Sequence, residues 1–196
     1  MILPIVAYGD PVLRKKAIDI KKDHPRLNEL VENMWETMYK ASGVGLAAPQ
    51  VGLSLRLFVI DATPFSDDED LSKEEQKILK GFKKVFINAK IEEETGNDWA
   101  FNEGCLSIPD IREDVNRKDT ITITYQDENF KSYTESYDGL VARVIQHEYD
   151  HIEGILFTDK LSSIKKRLLK SRLDKISKGK INIDYKMRFP NLKKGR

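Results

Sequence analysis

The sequence predicts an α+β domain in which mixed or antiparallel strands pack around a central metal-binding helix. Three observations point there. Short runs rich in β-branched and aromatic residues occupy the middle of the chain, as in Leu55–Ile60 and Thr120–Tyr125. Apolar residues recur at helical spacing near both ends. One late helical segment carries His147-Glu148-Tyr149-Asp150-His151, which sets two histidines one turn apart on a single face.

The elements follow in order. Leu27, Leu30, Val31, Met34 and Met38 make one apolar stripe, so residues 25–42 predict an amphipathic helix ending near Gly43. Leu55–Ile60 predicts a strand. Residues 61–81 are acidic and read as an exposed loop, with a short helix from Ser72 to Lys80. Ser72 and Glu75 there have the spacing of a capping box. Lys84–Glu94, Thr120–Gln126 and Phe130–Tyr137 predict further strands, the last two joined by a turn at Asp127-Glu128-Asn129. A helix is expected over 138–153, closed by Gly154, and a last one over 162–177. We expect one catalytic domain over residues 1–180 and a basic C-terminal tail over 181–196.

Composition narrows the function classes. A chain of 196 residues can bury a proper core. No apolar run approaches a membrane span, and the N-terminus lacks the basic and apolar regions of a signal peptide. One cysteine excludes an internal disulfide. A cytoplasmic protein with no membrane partner is expected. The net charge of +1 argues against wholesale nucleic-acid binding. The charge is uneven, however: from Lys160 onward only Asp174 and Asp184 oppose a run of lysines and arginines. That segment reads either as a solvated helix face with a tail or as a surface that docks on a polyanion such as RNA.

The chemistry is concentrated in the His-Glu-x-x-His segment. Leu140, Val144, His147 and His151 share one helix face, the one expected to meet the core. Unpaired imidazoles there would be costly. Two histidines can bind one metal, and the adjacent Glu148 can act as general base on water. A third ligand is needed. Zinc peptidases with this motif commonly take it from downstream, but Phe157 stands where one such pattern needs a histidine. No glutamate follows Glu153. Asp159 and Asp174 have no supporting pattern. His24 lies in a charged stretch without such context. Cys105, in Glu103-Gly104-Cys105-Leu106-Ser107, is the best candidate. By itself a lone cysteine is more often a small buried hydrophobe. Beside two histidines, its thiolate completes a set that suits zinc or ferrous iron.

With Cys105 included, the sequence resembles the peptide deformylase family. The resemblance rests on Gly43-Val44-Gly45-Leu46-Ala47-Ala48-Pro49-Gln50, on Glu103-Gly104-Cys105-Leu106-Ser107 and on His147-Glu148-Tyr149-Asp150-His151, in the family's order. It extends more loosely from the N-terminus to about Leu161. The acidic loop from Ser66 to Glu75 and the tail after Ile181 look particular to this branch.

The resemblance implies a metal-dependent hydrolase that removes the N-formyl group from the initiator methionine of new polypeptides. It implies one divalent ion, Fe²⁺ in the cell with Zn²⁺, Ni²⁺ or Co²⁺ as substitutes, held by Cys105, His147 and His151. Glu148 would move the proton. The Gln50 side-chain amide and the Leu106 backbone N–H would stabilise the oxyanion. Gly43 and Gly45 would let the loop run close to the substrate. Val44, Leu140 and Val144 are candidates for the methionine pocket, each equally readable as plain core. Arg112 and Asp150 are read as aids to positioning or as ion-pair partners. The basic segment makes ribosome docking an expectation. Two other readings stay compatible with the residues: a zinc peptidase with another third ligand, and a non-enzymatic, metal-stabilised RNA-binding module. The presence of Glu148 counts against the latter, because a closed structural site needs no base.

Overall fold

The computed structural model describes residues 1–191. In chain order the elements are β1 (Ile5–Val6), α1 (Leu27–Lys40), β2 (Gly45–Ala47), β3 (Leu57–Asp61), α2 (Lys73–Lys80), β4 (Lys83–Cys105), β5 (Ile108–Gln126), β6 (Ser132–Asp138), α3 (Gly139–Ile152), α4 (Ser163–Ser177) and β7 (Met187–Arg188). Five strands form one sheet in the order β2-β3-β4-β5-β6, and every neighbouring pair is antiparallel. β1 and β7 form a separate parallel pair. The fold is α+β.

Strand β3 explains how the core is organised. Its side chains alternate between two faces, as the pleat requires. Phe58 and Ile60 join Phe86, Ile121 and Ile123 in a cluster completed by Ala142, Val144, Ile145 and Ile152 of α3. Leu57 and Val59 point the other way, joining Val31, Met34 and Met38 of α1. Both faces are covered, so the strand reads as an unbroken apolar run. Each of the larger side chains here contributes about 1.5–3 kcal/mol relative to exposure. Helix α3 thus lies against the inner strands with its apolar stripe spent on the sheet. It ends at Gly154, whose φ of +75° and whose 2.9 Å clearance from the Arg14 carbonyl to a would-be Cβ leave no room for a side chain.

The structure departs from the expected elements in two places. Strands β4 and β5 are far longer than Lys84–Glu94 and Thr120–Gln126, because residues 95–119 continue them as an outer ribbon. Much of this ribbon is exposed, and bulges interrupt its register between Thr95 and Asp98 and between Gly104 and Cys105, so no regular alternation marks it. The three-residue β2 falls inside the glycine-rich stretch and has no strand signature. The loop over 61–81 does carry the capped helix α2, with Ser72 and Glu75 bonded reciprocally.

The chain after α4 folds back on the body. The Ile5 N–H donates to Lys186 O at 2.9 Å and the Ala7 N–H to Arg188 O at 2.9 Å. The end of the basic tail expected over 181–196, residues 192–196, lies outside the described residues.

Candidate metal centre

Two elements bring the potential ligands together. Helix α3 presents His147 and His151 from successive turns, and the end of β4 presents Cys105 where the β4–β5 hairpin turns at Leu106 and Ser107. One ligand atom from each of the three residues lies within 4.8 Å of the others. Among the described residues this is the group able to hold an ion, and His24 is not part of it. Cys105 Sγ is 3.3 Å from His151 Nε2. The thiolate–imidazole donor set suits a zinc-type or ferrous ion.

The two imidazoles sit in different electrostatic surroundings. Burial pushes both imidazoles toward the neutral form. At His147 the contacts with Cys105 and Glu103 outweigh burial and raise its pKa well above the ordinary value. At His151 burial, reinforced by the charge on His147, lowers it well below.

His147 is oriented by a neighbour that sequence reasoning quoted but did not assign. Its Nδ1 lies 3.0 Å from Glu103 Oε2. A carboxylate can only accept, so Nδ1 carries the proton and Nε2 is left for a ligand bond. Glu103 is itself held by Arg117, whose Nε and Nη2 donate at 2.7 and 2.9 Å, and by Arg143 Nη1 at 3.0 Å. Arg117 Nη1 also donates to Asp150 Oδ2 at 2.7 Å. Asp150 is therefore an ion-pair partner of Arg117. All four side chains are buried. Burial alone would raise the Glu103 pKa, but the hydrogen bonds from Arg117 and His147 hold it well below the usual carboxylate range. The signal available in the sequence was Arg143, a charged residue on the apolar side of α3.

Glu148 is buried beside the group, and its Oε2 has no hydrogen-bond partner. Burial, with the charge of Glu103, pushes its pKa up to about 7 against the pull of His147 and Arg117. A bound cation would oppose that rise. Gly45 makes space for this side chain: a Cβ there would lie 2.5 Å from Glu148 Oε1. Gln50 has one amide role filled, since its Oε1 accepts the Ala47 N–H at 2.7 Å. Its Nε2 is thereby turned toward Cys105 Sγ, 3.5 Å away.

The group opens on a cleft of roughly 770 Å³, a volume suited to a small ligand, with His151 behind its wall. Val44, Gly45, Gln50, Cys105, Leu106, Val144, His147 and Glu148 all face it. Leu140 does not. One turn before Val144, it packs half-buried against the α3–sheet cluster. Arg112 lines the cleft, with its Nε donating to Asn102 Oδ1 at 2.8 Å. Phe65, Phe101, Ile108 and Ile111 also face the cleft and had no signature in the sequence.

Comparison with known proteins agrees. The family model for polypeptide deformylase matches residues 2–167. The peptide deformylase of Christiangramia forsetii is 70% identical over 196 residues, covering all of both chains. That of Flavobacterium johnsoniae is 66% identical with the same coverage. A crystal structure of a peptide deformylase from Legionella pneumophila matches with a TM-score of 0.77 and 35% identity, over 94% of this chain and 100% of that one. The chain belongs to the peptide deformylase family.

Proposed function

We propose that Cys105, His147 and His151 hold the divalent ion on which the family's reaction depends, and that the residues around them carry out that reaction. The chain is a metal-dependent hydrolase that removes the N-formyl group from new formyl-methionyl polypeptides, releasing formate. The observation that carries the site assignment is the approach of three ligand atoms to within 4.8 Å, beside a buried carboxylate with a free oxygen.

An ion held there would supply Lewis acidity that makes water nucleophilic near neutral pH. Glu148 Oε2, buried and unpartnered, is placed to take a proton from the attacking water and to return it to the departing amine. The formyl C–N bond breaks, giving formate and the free amino terminus. Gln50 Nε2, aimed by the Ala47 bond, and the Leu106 backbone N–H donate to the oxygen that gains charge during attack. Val44 and Val144 offer apolar wall for the methionine side chain, and Gly45 keeps the backbone close to Glu148.

Ferrous iron is our choice for the ion in the cell, with zinc, nickel or cobalt as substitutes, because one thiolate with two imidazoles suits all of them. The test is metal content and formate release from a formyl-Met peptide, using anaerobically purified protein. Iron-loaded enzyme should lose activity in air, and nickel- or cobalt-loaded enzyme should keep it. Stability of the iron form in air would contradict the choice of iron.

No helix among the described residues is long and apolar enough to cross a membrane. We place the enzyme in the cytoplasm, where nascent chains emerge, and assign α4 to ribosome docking. In support, Leu169, Leu173 and Ile176 face inward, while Lys166, Arg167, Lys170 and Arg172 are exposed.

A further inference from the structure

Asn182–Tyr185 line the same cleft as Cys105, Gln50 and Glu148, although they lie well beyond residue 167, where the family match ends. Two contacts keep them there. The Tyr185 hydroxyl donates to the Leu106 carbonyl at 2.7 Å. Met187 and Arg188 then pair with Ile5 and Val6, which anchors the segment to the body. The bond to Leu106 matters because that turn also carries the Leu106 N–H. Fixing its carbonyl restrains the turn and hence the direction of the N–H.

The segment also brings charge. Asp184 and Asp110 both line the cleft; Arg172 of α4 donates to the Asp110 carbonyl, and neither carboxylate forms an ion pair among the described residues. The cationic groups on the cleft are otherwise engaged: Arg143 by Glu103 at 3.0 Å, and Arg112 by Asn102. We propose that residues 182–185 are a strap forming one wall of the peptide-binding cleft. Tyr185 is a positioning residue that holds the Leu106 turn, and Asp184, with Asp110, favours a cationic side chain in the residues that follow methionine. This rests on the assignment of Cys105, His147 and His151 as the catalytic centre. Formate release by the unmodified, metal-loaded chain from a neutral formyl-Met peptide tests that assignment separately.

The experiment uses the full metal-loaded chain, with formyl-Met peptides that differ only in carrying Lys or Glu at the third position. Tyr185→Phe should lower kcat by about three- to tenfold, the value of one hydrogen bond. KM, metal content and unfolding midpoint should stay near those of the unmodified chain. Asp184→Asn should cut the Lys-to-Glu ratio of kcat/KM by about threefold. An unchanged kcat in Tyr185→Phe, or a fall in kcat accompanied by loss of metal, would overturn the positioning role. An unchanged Lys-to-Glu ratio in Asp184→Asn would overturn the charge preference. If the unmodified chain released no formate, the site assignment would fail instead of the strap.

Discussion

Glu103 accepts the Nδ1 proton of His147 across 3.0 Å, and so fixes which imidazole nitrogen faces Cys105. The carboxylate serves two masters, because Arg117 and Arg143 depend on it for charge balance. Orientation of a metal ligand and integrity of the core meet in one side chain.

Glu103→Gln should therefore damage both. It leaves the buried Arg143 guanidinium without its carboxylate and Arg117 with Asp150 alone, which costs about 3–5 kcal/mol. It also weakens the hold on the His147 tautomer, which should lower metal affinity by about 10- to 100-fold. Denaturant unfolding and metal titration of the variant check the two effects. Metal affinity equal to that of the unmodified chain would remove Glu103 from the orientation of His147.

Gly45→Ala should separate catalysis from metal binding. The added methyl would overlap Glu148 Oε1 at 2.5 Å and must displace that carboxylate. A shift of about 1 Å in a proton-transferring group lowers kcat on the order of a hundredfold. Metal content should not change, since no ligand touches the new atom. Steady-state kinetics beside metal analysis decides this, and normal turnover would show that the position of Glu148 is not critical.

Much of the architecture was legible because burial and periodicity agree. Met34 and Met38 on α1, and Val144, His147 and His151 on α3, announce their helices by spacing. Gly154 marks a real stop. The outer ribbon was not legible. Residues such as Asn97, Asp98 and Asn102 project into solvent, and the bulges break the two-residue period. Cys105 was found through chemistry, as the missing donor for two histidines. The Glu103–Arg117–Arg143–Asp150 network escaped because its members come from three separate elements and obey no spacing rule.

Acid should destabilise the fold through Glu135. Burial favours its neutral form, but hydrogen bonds from Lys84 at 2.7 Å, Tyr125 at 2.5 Å and Tyr137 outweigh this and lower its pKa from 4.5 to about 2. A lowered folded-state value means the contribution is complete above pH 4.5 and is lost as pH falls toward 2. In Glu135→Gln the slope of stability against pH should flatten across that window. Unfolding free energies measured at intervals through it test this, and parallel slopes for the two proteins would refute it.

Ribosome docking through α4 should be an electrostatic event. Binding should weaken steeply as salt rises, and replacing Lys166, Arg167 and Lys170 with glutamine should reduce both affinity and salt slope. Hydrolysis of short peptides should stay normal, because these side chains are exposed and outside the cleft. Cosedimentation with ribosomes at several salt concentrations provides the measurement. Undiminished binding by the triple variant would rule α4 out.

Whether Cys105, His147 and His151 together hold the ion is decided by the metal-to-protein ratio of anaerobically purified Cys105→Ala beside that of the unmodified chain. The unmodified chain should carry roughly one ion, and the variant, reduced to two imidazoles, should lose nearly all of it. A Cys105→Ala protein that remained metal-replete and active would contradict the site and send the search for the third ligand elsewhere.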